Sequence, residues 1–214
     1  MADYLLNPYV ALGLQRNPFI LESSATITPS LWIDRGYSSP PLPKAKQFVQ
    51  LVGVKGAGKT SHLKYWQART GGEYCYYPPD RGRFKMPATG PIAYWDEADR
   101  IPLPYLLMAL AGAARCGSTV VVGTHADLSL AARMTGLLTK TIYIEPFDEL
   151  LLLNWANRRI EAVRIPDAIC RLRLDMATAK EIVATVDGSW REAADQLHVW
   201  AAGRANQAVI SQRR

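Results

Sequence analysis

Gln47-Phe48-Val49-Gln50-Leu51-Val52-Gly53-Val54-Lys55-Gly56-Ala57-Gly58-Lys59-Thr60 is the stretch from which the fold is read. Phe48 to Val52 is a short, β-rich apolar run, which predicts a strand ending at Gly53. The glycines at 53, 56 and 58 give the following loop the freedom to turn its backbone N–H groups inward, as a loop surrounding a β-phosphate must. Ala57 and Ser61 fall within the same cradle. Lys59 supplies a cation for the β- and γ-phosphates, and the Thr60 hydroxyl supplies an oxygen ligand for Mg²⁺. From Lys59 the pattern continues as a helix to Arg69, ahead of the Gly71-Gly72 breaker.

Working outward, strands are expected over Glu73–Tyr77, Pro91–Trp95, Thr119–Val122 and Thr141–Ile144, and helices over Tyr105–Ala114 and Leu128–Leu138. The segment from Gly82 to Gly90 reads as a loop. Strands alternating with helices imply an α/β fold with a five-stranded parallel sheet. After Pro146 the strands stop. Helices are expected over Asp148–Val163, Met176–Val186 and Trp190–Ala202, the last two separated by Asp187-Gly188. Residues 1–45, with Asn7-Pro8, Asn17-Pro18 and Pro40-Pro41-Leu42-Pro43, read as an ordered arm. The expected organisation is therefore an arm over 1–45, an α/β core over 46–147 and a helical lid with a basic tail over 148–214.

Ile92-Ala93-Tyr94-Trp95-Asp96-Glu97 brings two carboxylates to the carboxyl end of a strand, the edge where α/β sheets bind ligands. Asp96 would hold Mg²⁺ through water, and Glu97 would polarise an attacking water. The alternative is purely structural: a helix N-cap followed by an acidic first turn. Thr124, closing the Val120-Val121-Val122-Gly123 run, could hydrogen-bond that water or a γ-phosphate, or be ordinary turn chemistry, and His125 beside it reads as a loop residue.

The chain carries a formal net charge of +6. Its positive residues concentrate late, at Arg158, Arg159, Arg164, Arg171, Arg173, Lys180, Arg191, Arg204, Arg213 and Arg214. A basic lid of this kind suits contact with a nucleic-acid backbone, and equally a solvated helical surface. The three cysteines lack metal-ligand spacing and read as buried reduced thiols. No stretch reaches a membrane span, and no basic segment followed by an apolar run opens the sequence, so the cytoplasm is expected.

The order of phosphate loop, Asp-Glu strand, strand ending in Thr, fifth strand and helical lid resembles the AAA+ ATPases over about residues 7 to 203. The nearest branch is that of transposon helper and secretion-associated ATPases, helicase loaders and replication initiators. The resemblance implies ATP hydrolysis with Mg²⁺, homo-oligomerisation through the nucleotide, and remodelling or loading of a DNA or protein partner. Within Gly13-Leu14-Gln15-Arg16-Asn17-Pro18-Phe19 it implies an adenine-side box formed by Asn17, Pro18 and Phe19. In Gly188-Ser189-Trp190-Arg191 it makes Arg191 a lid contact to the γ-phosphate. It also places a trans-acting arginine before the fifth strand, where Arg133 has the planar fork that Lys140 lacks. Two other classes stay open, a small-molecule or nucleotide kinase and a non-hydrolysing adaptor switched by nucleotide.

Overall fold

The computed structural model describes residues 7–20, 33, 35–37 and 39–212. They divide into two compact units, one from the described parts of Met1–Ile33 with Pro146–Arg214, the other from those of Asp34–Glu145. Each has its own core.

The second unit is α/β. Strands β1 (Gln47–Val52), β2 (Glu73–Tyr76), β3 (Ile92–Asp96), β4 (Thr119–Thr124) and β5 (Leu138–Tyr143) form one sheet in the order β2-β3-β4-β1-β5. All four pairings are parallel, as the alternation of strands and helices requires. The inner strands β3 and β4 are buried along their whole length, which explains the unbroken Val120-Val121-Val122 run. The edge strand β5 alternates exposed and half-buried residues. On one face Phe48, Trp95, Val120 and Val122 share a core with Leu106, Leu110 and Ala113 of α2 (Leu103–Arg115). The alternate residues Val49, Leu51, Tyr94 and Val121 face the other way and are equally buried. On that side α1 (Lys59–Thr70) is fixed at its end by a 2.5 Å hydrogen bond between Thr70 Oγ1 and the Tyr94 hydroxyl.

The chain leaves β1 for β2, past β4 and β3, whereas it leaves β4 in the other direction, past β1 to β5. These opposed connections put the switch in strand order at the carboxyl ends of β1 and β4, the position where sheets of this kind bind ligands.

Several boundaries differ from expectation, and a 3-10 turn at Arg81–Phe84 occupies part of the segment read as a loop. The helix expected over Leu128–Leu138 is the short α3, Ser129–Met134. Thr135 and the left-handed Gly136 close it, with Gly136 N–H donating to Arg133 O at 2.9 Å, and β5 already begins at Leu138. Strand β3 runs through Asp96, so the carboxylate is its last residue. Cys75 is buried but Cys116 is exposed at the end of α2, so only part of the buried-thiol expectation holds; all three thiols are free.

The first unit is helical: α4 (Glu149–Ala162), α5 (Met176–Val183) and α6 (Trp190–Gln212) pack with the 3-10 turn Pro8–Leu12. Asp148 and Asp175 cap α4 and α5 by accepting from Leu151 N at 2.7 Å and Thr178 N at 2.8 Å. Helix α6 passes the expected end at Ala202, because buried Leu197, Ala201 and Ala205 continue the inward stripe and Gly203 is exposed. Gly13 has no substitute here: its φ is +77°, and a Cβ would lie 2.5 Å from Ile169 O. No described helix is long and apolar enough to cross a membrane.

Candidate functional site

Between β1 and α1 the chain turns on Gly56 (φ +83°) and Gly58 (φ +97°), both in the left-handed region where a side chain is strained. Gly53 is needed for space instead, since a Cβ there would meet Ile144 Cβ at 3.3 Å and Ala57 Cβ at 3.4 Å. Gly58 is the N-cap of α1, and no side chain caps the helix. Its first-turn N–H groups and positive dipole end are thus available to an anion. Lys59 is 4% exposed and folds back onto the loop, Nζ donating to Gly53 O at 2.7 Å and Val54 O at 2.9 Å. Burial holds its ammonium below the ordinary lysine value, against the opposing pull of Glu97 and Asp96. The loop is also pinned from outside: Arg35 donates to Ala57 O at 3.1 Å and to Glu145 O.

Asp96 comes to the same place from β3. Its Oδ2 accepts from Thr60 Oγ1 at 2.7 Å and from the Tyr74 hydroxyl at 2.7 Å, and its Oδ1 accepts from Glu97 N at 3.2 Å. Burial, then the neighbouring Asp96 charge, pushes the Tyr74 phenol well above its ordinary value, so it serves as a donor. The carboxylate lies against Gly123, where a Cβ would approach Oδ1 to 2.8 Å. A glycine within a buried strand is a signal of close approach. No comparable local signal marks Arg35 or Tyr74.

Glu97 follows at φ +59° and ψ 42°, a left-handed conformation rare for a residue with a side chain. It is the N-cap of a 3-10 turn over Ala98–Arg100 with Asp99 in that turn, although its side chain makes no capping bond. The structural reading of the Asp-Glu pair is thus met by the backbone while the carboxylate points elsewhere. Glu97 Oε2 lies 2.8 Å from Arg100 Nη2 and 3.4 Å from His125 Nδ1. The arginine contact is close in distance but not aligned as a hydrogen bond, and Oε2 is buried without a donor. His125 Nδ1 also approaches Asp99 Oδ2 at 3.5 Å, and Asp99 Oδ1 accepts from His125 N at 3.2 Å. Glu97, Asp99 and His125 offer ligand atoms within 4.8 Å of one another, but the Arg100 cation, 2.8 Å from Glu97 Oε2, opposes a metal ion there. His125 thus reads the ends of β3 and β4 together, a role invisible in its own segment.

The Thr124 hydroxyl is fully buried and engaged in its own turn, donating to Ala126 O at 2.7 Å and accepting from Ala126 N at 3.1 Å. It would have to leave that turn to meet a ligand. Ser61 lies exposed in the first turn of α1. Arg133 is exposed on α3, its guanidinium donating to Ser129 Oγ at 3.1 Å. Asn17, Pro18, Phe19 and Arg191 belong to the helical unit. There Asn17 Nδ2 donates to the Tyr9 hydroxyl at 2.7 Å and to His198 O at 3.0 Å, and Oδ1 accepts from Phe19 N at 2.9 Å. Phe19 is 2% exposed and packs on Trp155 and Trp200. Both side chains thereby tie residues 7–20 to the helices. Arg191 is exposed in the first turn of α6.

No protein-family model matches the chain, and no curated protein sequence does. Any functional reading therefore stands on the chemistry of these side chains.

Proposed function

We propose that the sheet unit binds ATP with Mg²⁺ on the 53–60 loop and hydrolyses it, and that the chain couples turnover to self-assembly and to work on a nucleic-acid or protein partner. The observation that carries this reading is the 2.7 Å hydrogen bond from Thr60 Oγ1 to Asp96 Oδ2. It joins a hydroxyl at the start of α1 to a carboxylate at the end of a strand two places away in the sheet, beside an uncapped helix and a buried lysine.

The donor set fits the group. A hydroxyl and a carboxylate oxygen are hard ligands suited to Mg²⁺, which keeps several waters and is held by one or two protein oxygens with the phosphates. Bound there, the ion would neutralise phosphate charge as it develops on the leaving group. Lys59 exchanges the carbonyls of Gly53 and Val54 for the β- and γ-phosphates, and the glycine loop presents its N–H groups to the β-phosphate. Thr60 would ligate the metal directly and Asp96 would hold it through water. Glu97 orients a water and accepts its proton, which favours hydrolysis over phosphoryl transfer to another acceptor. The contacts of Glu97 with Arg100 and His125 would position the carboxylate, and Arg133 is the side chain proposed to act on a neighbouring subunit's nucleotide. Roles for Thr124 and Ser61 rest on their places at a strand end and in the loop, and roles for Asn17, Pro18, Phe19 and Arg191 on the resemblance alone.

Steady-state turnover of Glu97→Gln tests the assignment. Nucleotide affinity should stay within about threefold of wild type, while the rate falls by about 10²–10⁴, the usual contribution of a general base. A Glu97→Gln protein that turns over ATP at the wild-type rate removes Glu97 from the mechanism.

A further inference from the structure

The helical unit holds an open groove of about 390 Å³ between residues 171–173 and the second half of α6. Its chemistry follows from two periodicities. In Arg171-Leu172-Arg173-Leu174 the leucines are 5% and 1% exposed, so the extended chain turns both arginines outward. On α6, Trp200, Arg204, Gln207 and Ser211 recur at helical spacing and line the groove from the other side.

No carboxylate lines this groove. None of Arg171, Arg173 and Arg204 has an acidic partner within ion-pair distance among the described residues. Other late arginines are committed: Arg159 donates to Pro18 O at 2.9 Å and Arg164 pairs with Glu161 at 3.0 Å. Asp175, whose charge interacts with Arg204, is the N-cap of α5 and accepts from Thr178 N. The Arg204 guanidinium lies 5.9 Å from the Trp200 ring centroid, and the Trp200 indole N–H is buried without an acceptor. The groove is thus rich in donors and poor in acceptors.

We propose that this groove binds the phosphate backbone of a nucleic acid. Guanidinium forks match phosphate oxygens in pairs, and the amide of Gln207 adds further donors. Arg171 and Arg173 stand about 6.6 Å apart along an extended chain, so they address successive anionic groups instead of one. A free phosphate would occupy only part of the groove. The inference supplies the partner surface of the proposed function but not its nucleotide chemistry, because the groove lies wholly within the helical unit.

Fluorescence polarisation with labelled single-stranded and duplex oligonucleotides, without nucleotide and across a salt series, tests it. The substitution Arg171→Gln with Arg173→Gln and Arg204→Gln should weaken binding at least tenfold. It should also make the log affinity against log salt slope for duplex shallower by about two to three, as expected for losing three phosphate contacts. Arg173→Gln alone should give about a third of the slope change. Removing the same charge elsewhere, by Arg81→Gln with Arg83→Gln and Lys85→Gln, should change affinity less than threefold. Lys59→Ala should bind oligonucleotide normally, which separates this inference from the nucleotide reading. Wild-type protein that binds neither oligonucleotide in low salt, an unaffected Arg171/Arg173/Arg204 variant, or an equal loss in the Arg81/Arg83/Lys85 variant would overturn it. So would arginine-dependent binding of tripolyphosphate with none of oligonucleotide.

Discussion

Glu97 combines a left-handed backbone with a buried, undonated carboxylate oxygen. For a residue with a Cβ the left-handed conformation costs about 1–2 kcal/mol, and such positions persist where function selects them. The side-chain contacts with Arg100 and His125 are partly exposed, so they return at most about 1 kcal/mol. Glu97→Gly should accordingly raise the unfolding free energy by about 1 kcal/mol, because glycine adopts this backbone freely, while lowering ATP turnover as Glu97→Gln does. Urea unfolding beside a turnover assay reads both; a less stable glycine variant would show that the carboxylate contacts outweigh the backbone strain. At this scale Lys59, Thr60 and Asp96 were legible, since each is fixed by local order in strand, loop and helix. Tyr74 was not. Its bond to Asp96 depends on the β2–β3 register that sets Tyr76 opposite Asp96, and register is not written in either segment alone.

Among the elements, the tie between β1, α3 and β5 rests on one buried amide. Gln50 is fully buried; its Nε2 donates to Asp127 Oδ1 at 2.5 Å and Thr141 Oγ1 at 2.7 Å, and its Oε1 accepts from Leu128 N at 2.9 Å. Gln50→Leu keeps the volume but strands those partners, which should cost about 1–3 kcal/mol and speed amide exchange at Leu128. Unchanged stability and exchange would mean the turn holds itself. The Gln50 bond, with Ser129 N–H, also holds the Asp127 carboxyl below its ordinary value of 3.8. A lowered folded-state value contributes stability above that pH and loses it as pH falls through the folded value, so Gln50→Leu should also blunt this acid-side loss. The strand β1 was legible from its β-rich run, yet Gln50 in its middle gave no sign of what it joins. The helix run through to Leu138 failed for a local reason: Gly136 is a stop signal, and the apolar residues beyond it belong to an edge strand.

For the whole molecule, the sheet class followed from strands alternating with helices, and the helical segment from their absence after Pro146. That residues 7–20 share a core with the late helices did not, because the Leu14–Arg164 bridge and the Asn17–His198 bond join distant segments. The charge of +6 belongs to no single surface: some late arginines close local contacts, and three line the groove on α6. Lys59, Thr60 and Asp96 all belong to the sheet unit, so the proposed ATP recognition would depend on that unit's 53–60 loop. The most direct test is equilibrium titration with a fluorescent ATP analogue and Mg²⁺ on wild type and on Lys59→Ala, with folding checked by circular dichroism. Lys59→Ala removes the ammonium that would pair the β- and γ-phosphates and leaves β1 and α1 intact. The account predicts saturable binding by wild type and a loss of at least about 100-fold, or about 2.7 kcal/mol, in the folded variant. Equal affinity in the two folded proteins would contradict it.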